Sequence, residues 1–254
     1  MGLATETAGL AKRGSRAVLD VLFPPLCIGC RETVREPGSL CADCWNSISF
    51  IEGAMCERCG LPFEIDPGPG TLCGACHATP PAFDKARAVM RYDEASKASI
   101  LALKRADRLD LAPGLSRWMA RTGRALIEAA DVIVPVPLHP IRLWTRRYNQ
   151  SAELARRLGQ DTGTPVAPLA LARKRATPSQ GTMPSAKARR RNVRAAFVVA
   201  DRAAISGKSV LLIDDVLTTG ATVEACAKAL RRAGASHVAV LTLARVVRPL
   251  TATL

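Results

Sequence analysis

Aromatic residues are scarce in this chain, since Phe, Trp and Tyr together make up 4% of its 254 residues. Proteins that bind single-stranded nucleic acid usually stack bases on aromatic side chains, so this composition argues against a surface built mainly on stacking. Long apolar runs are also missing. The longest are about as long as a β-strand, far short of the roughly 20 residues that a bilayer span needs, which excludes a transmembrane helix.

The amino terminus lacks the features of a secretion signal. Residues 17–25 are apolar but are interrupted by Asp20, and no small-residue cleavage site follows them. We therefore expect a cytoplasmic protein. Hydrophobic residues make up 48% of the chain and charged residues 23%, which is ordinary globular composition and excludes a largely disordered chain.

Positive charge is concentrated in the second part of the chain. Residues 1–80 contain 6 Lys and Arg against 9 Asp and Glu, whereas residues 81–254 contain 30 against 13. The net charges are therefore −3 and +17, within a total of +14. A basic second part indicates an anionic partner, namely phosphates, a nucleic acid or an anionic membrane surface, or else a basic surface that only keeps the protein soluble.

Eight of the nine cysteines form four C-x-x-C pairs between residues 27 and 76. Two such pairs supply the four thiolates of a closed, tetrahedral Zn²⁺ site, so the pattern predicts two structural zinc ions. Pairing in sequence order is the simplest arrangement, although an interleaved one also satisfies the spacing. The predicted ligands are Cys27, Cys30, Cys41, Cys44, Cys56, Cys59, Cys73 and Cys76.

Disulfides and an iron–sulfur cluster are the alternatives to zinc. A chain without a secretion signal meets a reducing compartment, which disfavours disulfides. His77 directly follows Cys76 and is interpreted as a surface residue rather than a replacement ligand. Cys226 lies on the apolar side of a predicted helix and is interpreted as a core residue.

The chain divides at Thr79-Pro80-Pro81, where a Cys-, Gly- and Pro-rich composition gives way to alternating apolar strands and amphipathic helices. We expect an N-terminal segment 1–24, a double zinc ribbon at 25–80, and an α/β domain at 81–254. Continuous apolar strands imply a parallel sheet covered by helices on both faces. The expected elements are a helix over about Leu115–Ala130, a strand Val132–Val136, a polar loop Leu138–Arg147, a helix from about Asn149 to Leu158, a mobile basic loop Arg173–Arg194, a strand Val210–Ile213, a helix Ala221–Ala233 and a strand Val238–Leu243.

The most informative segment runs from Val210 to Thr222. A buried strand ends in Asp214 and Asp215, and a short loop of Thr and Gly then opens a helix. Such a loop directs backbone N–H groups at one point beside the positive end of the helix dipole, which suits a phosphate. The carboxylates suit sugar hydroxyls or Mg²⁺. Together these features predict a pocket for a 5′-phosphorylated ribose.

This segment resembles the phosphoribosyl-pyrophosphate (PRPP) motif of type I phosphoribosyltransferases. The resemblance implies that Asp214 and Asp215 contact the ribose hydroxyls. It also implies that the loop holds the 5′-phosphate through Thr218, Thr219, Gly220, Ala221 and Thr222. Some members carry an acid where Thr218 stands, and there it acts as a base, so the motif does not identify a general base in this chain.

Two further segments extend the resemblance to nearly the whole chain after about residue 20. They are Val134 to Gln150 and Arg173 to Phe197, and with Lys104 and the cysteine pairs they resemble the ComF family of bacteria, which includes the gluconate-linked GntX proteins. The resemblance implies a type I phosphoribosyltransferase-like sheet preceded by a double zinc ribbon. It further implies a role in DNA uptake during natural competence. The stretch after Lys104 departs from the family, because Arg105 to Arg108 lacks its usual aromatic residue and glycine.

Basic side chains follow the strand Val132–Val136, at an end where open α/β sheets bind ligands. In the transferases this loop meets pyrophosphate, so Arg142, Arg146 and Arg147 are candidates to bind it, or are simply solvated arginines. The basic run at 173–194 contains no acid, and it includes the candidates Arg175 and Arg190. That run could close over PRPP, bind a nucleic-acid backbone, or do neither.

Two functions from different classes remain open. In the first, the protein is an enzyme that transfers the phosphoribosyl group of Mg²⁺-bound PRPP to a nitrogen nucleophile with release of pyrophosphate. In the second, it is a non-enzymatic protein that binds single-stranded DNA on a transferase scaffold, with Trp144 and Tyr148 among the arginines as the residues to test. These two side chains are alternatively packing residues.

Overall fold

The computed structural model describes residues 23–104, 106–175, 185, 191–193 and 195–247. The predicted N-terminal segment up to residue 22, most of the predicted basic loop and the candidate Arg190 lie outside this range. Among the described residues, no helix is long and apolar enough to cross a membrane.

A parallel four-stranded sheet forms the centre of the fold. Its strands are β1 (Lys85–Arg91), β2 (Val132–Pro135), β5 (Ser209–Leu217) and β6 (His237–Arg245), in the spatial order β1-β6-β5-β2. All three neighbouring pairs are parallel. Strands β3 (Leu171–Arg173) and β4 (Phe197–Val199) form a separate antiparallel pair. The predicted α/β class is therefore confirmed.

Segments outside the four strands pair with both edges of the sheet. Beside β1, the N–H of Ile51 donates to the carbonyl of Val89 at 2.9 Å, and the N–H of Ala86 donates to that of Arg58. Beside β2, Val166 forms a parallel bridge with Ile133. Because an exposed edge strand is a template for unwanted pairing, the cysteine-rich region protects the β1 edge.

Helices cover both faces of the sheet, which follows from the continuous apolar strands. One face packs against α8 (Ala221–Arg232), the β3–β4 pair and the second group of cysteines. The other face packs against α3 (Glu94–Leu103), α4 (Ala112–Thr122) and α7 (Gln150–Thr162). Cys226 is fully buried on the α8 side, as predicted.

Two predicted elements differ from the structure. One lies between β1 and β2, and the other directly follows β2. The helix expected over Leu115–Ala130 is two helices, α4 and α5 (Arg124–Glu128), separated at Gly123. A Cβ at Gly123 would meet Leu241 Cδ2 at 2.4 Å, so glycine allows the chain to pass close to the sheet at this break.

The expected polar loop Leu138–Arg147 was also wrong, because it contains the helix α6 (Pro140–Arg146). His139 is the N-cap, and its Nδ1 accepts the N–H of Ile141 at 3.3 Å. Proline at the first helical position and the capping side chain together favour helix initiation. The expected basic loop begins later than predicted, since Arg173 belongs to β3.

The cysteine-rich region consists of two similar turns, each with a short helix. The helices are α1 (Ala42–Ser47) and α2 (Gly74–Ala78). In the first turn the N–H of Arg31 donates to the carbonyl of Cys27, and in the second the N–H of Gly60 donates to that of Cys56. Both donors have positive φ, 73° at Arg31 and 68° at Gly60, so the two turns have the same local backbone.

Candidate functional site

The two predicted acids lie at the carboxyl end of β5, inside the strand rather than after it. Asp214 and Asp215 are only 9% and 7% exposed. The strand continues past them because Asp214, Val216 and Leu217 still pair with β6. Successive residues of a strand face opposite sides, so the acids approach the site from the two sheet faces.

Asp214 is a buried carboxyl group held by two donors. Its Oδ1 accepts the hydroxyl of Ser151 at 3.1 Å and the backbone N–H of Asp215 at 3.0 Å. Burial, together with the neighbouring charge of Asp215, raises the pKa of Asp214 to about 7. Any hydrogen-bond donor or cation that enters the site therefore stabilises the ionised form of this carboxyl group.

Asp215 is held by the first residue of α7 and by the residue that ends α3. Its Oδ2 accepts Gln150 Nε2 and pairs with Lys104 Nζ, both at 3.1 Å. Gln150 is buried, and its Oε1 has no hydrogen-bond partner. A buried acceptor without a donor indicates a place where a ligand can donate.

The loop after β5 forms a helix N-terminus that no side chain caps. Gly220 is the N-cap of α8 and has a φ of 75°, a conformation that glycine adopts at little cost. The first backbone N–H groups of a helix have no intrahelical partner, so they are available to an anion. Thr219 Oγ1 is buried and has no partner, and Thr218 is exposed. Ala221 and Thr222 belong to the first turn of α8.

The candidate arginines follow the neighbouring strand β2. Arg142 and Arg146 lie on α6, and Arg147 ends that helix in the left-handed conformation with a φ of 64°. Burial and the charge of Arg146 lower the pKa of Arg142. Asn149 Nδ2 donates to the Val136 carbonyl at 3.0 Å, which ties the end of this segment back to the sheet.

Two further arginines lie at the β3–β4 pair. Arg173 is buried over the ring of Phe197, with 5.4 Å between its Cζ and the ring centroid. Burial and the charge of Arg142 lower the pKa of Arg173, while Asp214 opposes this. Arg175 is exposed and donates to the carbonyl of Asn192 at 2.8 Å. The structure therefore brings Arg173 near both Arg142 and Asp214.

Sequence analysis gave no role to several side chains that hold the acids. Lys104 and Gln150 belong to the residues and segments that resemble ComF, and this resemblance could have marked them as residues of the site. Ser151 carried no signal. Its contact with Asp214 depends on how α7 packs against β5.

The eight paired cysteines form two clusters in sequence order. The first contains Cys27, Cys30, Cys41 and Cys44, and the second contains Cys56, Cys59, Cys73 and Cys76. Within each cluster the four sulfur atoms lie within 4.8 Å of one another. Four convergent thiolates fit a structural zinc ion, and His77 belongs to neither cluster.

Backbone N–H groups support the thiolate form in both clusters. Burial raises the pKa of Cys27, but N–H groups of Cys30, Cys41 and Gly29 outweigh it, and the pKa lies at about 6. At Cys56 burial is likewise outweighed by N–H groups of Cys59, Cys73 and Arg58, and the pKa lies at about 7. Burial and the neighbouring thiols raise the pKa of Cys44 and Cys76, so the N–H groups support one thiolate in each cluster before an ion binds.

The second cluster is also joined to the carboxyl end of the sheet. Arg245, at the end of β6, is buried and donates through Nη1 to the carbonyl of Cys59. Its Nη2 lies 3.7 Å from Cys59 Sγ. The same end of β6 pairs with Leu217, immediately before the loop of Thr and Gly.

Comparison with known protein families gives two matches on this chain. The double zinc ribbon domain family matches residues 18–77, and the phosphoribosyl transferase domain family matches residues 150–249. The first match covers both cysteine clusters. The second covers β5, the acid pair and the loop.

Curated relatives match over most of the chain. DNA utilization protein YhgH of Salmonella typhimurium is 33% identical over 229 residues, which cover 87% of this chain and 97% of that protein. Competence protein F of Haemophilus influenzae is 30% identical over 226 residues, which cover 86% and 96%. This chain thus matches almost the full length of both relatives.

Solved structures overlap this chain only in part. The glutamine PRPP amidotransferase of B. subtilis is 26% identical with a TM-score of 0.34, over 57% of this chain and 26% of that one. This chain thus spans about a quarter of that enzyme. A purine phosphoribosyltransferase of Pyrococcus horikoshii is 19% identical with a TM-score of 0.33, over 55% and 74%. The fold assignment rests on the strand topology and the domain matches.

Proposed function

This chain belongs to the ComF family, together with Competence protein F and DNA utilization protein YhgH, and we propose that it binds PRPP or a ribose 5-phosphate group with Mg²⁺. One observation carries the proposal. A buried acid pair near the end of β5 is followed, five positions after Asp215, by Gly220 at the uncapped N-terminus of α8. This combination suits a phosphorylated sugar, because hydroxyls need acceptors and a phosphate needs donors.

Each part of the site has a proposed contact with the ligand. Asp214 and Asp215 accept the ribose hydroxyls, and the unpartnered Oε1 of Gln150 is a further acceptor beside them. The 5′-phosphate meets the backbone N–H groups of the loop and the unpartnered hydroxyl of Thr219. The residues proposed for the phosphate are Thr218, Thr219, Gly220, Ala221 and Thr222.

The candidate arginines of the segment after β2 and of the basic run at 173–194 are proposed to bind the pyrophosphate group. A guanidinium donates through a planar fork that matches phosphate oxygens. The carboxylates of Asp214 and Asp215, with the ligand's own oxygens, are the groups that would hold Mg²⁺, which supplies charge neutralisation at the pyrophosphate. The arginines in this role are Arg142, Arg146, Arg147, Arg175 and Arg190.

If the protein turns PRPP over, the bond between ribose C1 and the pyrophosphate oxygen breaks while a nitrogen acceptor bonds to C1. Negative charge grows on the departing pyrophosphate, where the arginines stabilise it. The acceptor's proton leaves to solvent or pyrophosphate. Thr218 has no basic group, so no protein base is assigned to this step.

The test is calorimetric titration of PRPP with Mg²⁺ into the zinc-loaded protein and into the double variant Asp214→Asn/Asp215→Asn. Saturable binding that the double variant loses supports a phosphoribosyl pocket. Asp43→Asn, an exposed acid on α1, is the matched control and should bind as the wild type does. Equal binding by the wild type and the double variant, or none by either, contradicts the proposal.

Binding of single-stranded DNA is the second candidate, and the side chain of Trp144 favours it. Trp144 is 85% exposed on α6, with arginines on the same short helix. An exposed indole beside cations can stack a base while the cations meet the backbone. Trp144→Ala should then weaken oligonucleotide binding, and raising the salt concentration should weaken it steeply. Affinity that depends on neither contradicts this candidate.

The biological setting of the proposal comes from the relatives. The names Competence protein F and DNA utilization protein favour a role in DNA uptake or use, with a competence machinery as a partner, in the cytoplasm. We also propose the three-part organisation of residues 1–24, 25–80 and 81–254.

A further inference from the structure

A groove of about 850 Å³ lies towards the amino ends of the strands, away from the acid pair. It is formed by the end of α4, by α5 and by the chain that follows α7. That chain is tied to the start of β2, where the N–H of Ile133 donates to the carbonyl of Pro165 at 2.8 Å. Ile133 pairs with Leu211, three residues before Asp214, which corresponds to about 10 Å along the strand. The groove is therefore separate from the site proposed for PRPP, and its volume is in the range of small-molecule sites.

Two arginines line this groove without a partner. Arg121 and Arg124 are both exposed. Among the residues that the structure describes, neither side chain makes an ion pair or a hydrogen bond. The two residues are three positions apart, on either side of the break at Gly123, so one anion in the groove can accept from both. The groove therefore suits an anionic ligand.

The number of donors favours a phosphate over a carboxylate. One guanidinium occupies both oxygens of a carboxylate through its planar fork, which leaves the second arginine unused. A phosphate monoester has three terminal oxygens and about two negative charges, so it can accept from both side chains. On the facing wall Gly163 has a φ of 75°, and a Cβ there would meet no atom within 4 Å. A ligand can therefore approach the backbone closely at this wall.

The groove also contains an acid without a partner. Glu128 lies one turn after Arg124, yet its carboxylate makes no ion pair with any described residue. Arginine before glutamate is the less favourable order for such a pair on a helix. A free carboxylate repels a bound phosphate unless the ligand also brings a donor to it. The remaining lining includes Ala120, Ile127 and Pro165, which can cover a short alkyl chain or a ring.

We propose that this groove binds a small phosphate monoester that also carries an amino group or another N–H donor. Arg121 and Arg124 donate to the phosphate, and Glu128 accepts the N–H. The donor comes either from an amine, as in a phosphorylated amino alcohol, or from the base of a nucleotide. The groove is then a second ligand site, and the inference does not rely on the proposed function.

The first arm of the test locates the bound ligand. O-phosphoethanolamine and AMP are titrated separately into the isotope-labelled, zinc-loaded protein, and the amide signals are followed by NMR. A ligand in the groove should shift the signals of Gly163 and Thr164 to saturation, whereas a ligand in the phosphoribosyl site shifts those of Gly220 and Thr222. These separate signals distinguish failure of the inference from failure of the proposed function. The probe that shifts the groove signals at the lower concentration identifies the source of the donor.

The second arm uses variants. Arg121→Gln/Arg124→Gln should weaken binding of the tighter probe in the groove by at least about tenfold, which is about 1.4 kcal/mol. Both positions are exposed, so a folded variant is expected. Arg117→Gln/Arg202→Gln removes two other exposed arginines and should bind as the wild type does. Glu128→Gln should weaken O-phosphoethanolamine by about fivefold, as expected for an exposed ion pair, and leave glycerol 3-phosphate, which has no N–H, unchanged.

Several outcomes overturn the inference. One is that neither probe shifts the groove signals at millimolar concentration, and another is that Arg121→Gln/Arg124→Gln binds as tightly as the wild type. Sulfate that produces the same shifts with the same midpoint would show that the groove attracts any anion. Equal effects of Glu128→Gln on O-phosphoethanolamine and glycerol 3-phosphate would remove the N–H donor from the site. If a thymidine oligonucleotide shifts the groove signals and neither small probe does, the arginines bind a nucleic acid and the inference is wrong.

Discussion

The two cysteine clusters have the same ligands and similar turns, yet they relate differently to the rest of the molecule. All four cysteines of the second cluster are buried, and they pack in the same core as α8. In the first cluster Cys27 is buried and Cys30 is exposed. One cluster is thus part of the domain's interior, whereas the other lies at its surface.

The clusters also dock by different means. The second uses Arg245, a buried cation that reaches the ribbon from the end of β6. The first uses ring contacts, with centroids of Trp45 and Phe50 lying 6.0 and 5.7 Å from Trp118 on α4. We call the segments around the first and second clusters the first and second ribbon. Although the two clusters have the same ligands, metal binding need not stabilise the α/β domain equally through both, because its free energy supports only the residues that each ribbon contacts.

The largest expected difference is between Cys59→Ser and Cys30→Ser. Loss of a buried ligand removes a metal site and opens a core, so Cys59→Ser should lower the free energy of unfolding by on the order of 4 kcal/mol or more. Cys30→Ser should cost about half as much, since its surroundings are solvated. Urea unfolding with zinc analysis measures both. Equal losses would show that burial of the cluster does not decide its contribution.

The next effect concerns charge at the carboxyl end of the sheet, where the second ribbon docks. The pKa of Asp214 is raised from its ordinary value to about 7, so the folded state binds more protons than the unfolded state between about pH 4 and 7. Stability of the ligand-free protein should therefore fall as pH rises through this window.

Asp214→Asn removes the cost of ionising this buried carboxyl group in the folded protein. It should stabilise the ligand-free protein at pH 8 by on the order of 2–4 kcal/mol and change little near pH 4. Unfolding measured at both pH values tests this, with Asp43→Asn on the first ribbon as the control. A gain that is the same at pH 4 and pH 8 would contradict the account.

A smaller effect compares the arginines that tie each ribbon to the α/β domain. Arg245→Met removes buried, charge-assisted bonds to Cys59 and should cost about 2 kcal/mol. Arg117→Met removes an exposed bond to the Pro37 carbonyl and should cost about 0.5 kcal/mol or less. Thermal unfolding of both variants, each checked for two zinc ions, measures the difference. The reverse order would mean that the first ribbon is the better anchored one.

The smallest predicted effect is on ligand binding when the first ribbon is loosened. Trp118→Ala removes ring contacts worth about 1 kcal/mol each, so the protein should become less stable. Its affinity for ribose 5-phosphate should stay within about twofold of the wild type, because the Trp118 ring packs on Trp45 and Phe50, whereas the acid pair is held by Gln150, Ser151 and Lys104. Calorimetry at a temperature where the variant is fully folded measures it. A tenfold loss of affinity would contradict the view that the first ribbon, unlike the second, is not connected to the ligand site.

Features with a local chemical cause could be predicted from the sequence. The cysteine pairs predicted both clusters, since tetrahedral zinc needs four thiolates at short spacing. The strand, acid pair and loop from Val210 to Thr222 were predicted because their pattern is continuous in the chain. Features that depend on packing could not be predicted. Gly123 divides a helix because the chain passes close to Leu241, which lies far away in sequence.

The contacts that complete the site also depend on packing and could not be predicted from the sequence. The bond from Ser151 to Asp214 and the contact of Arg245 with Cys59 join residues that are 63 and 186 positions apart. Helix α6 was missed for a local reason, because Pro140 was read as a loop residue although it occupies the first helical position, where proline is favoured. The roles of the acids and arginines stay predictions until a ligand is bound.

The most direct test of the central claim is a crystal structure of the zinc-loaded protein with PRPP and Mg²⁺, using anomalous scattering to locate zinc. The account predicts the 5′-phosphate within hydrogen-bond distance of the Gly220 and Ala221 N–H groups, the ribose beside Asp214 and Asp215, and one zinc ion in each cysteine cluster. A ligand bound elsewhere, or clear density for an empty loop at saturating PRPP, would contradict it.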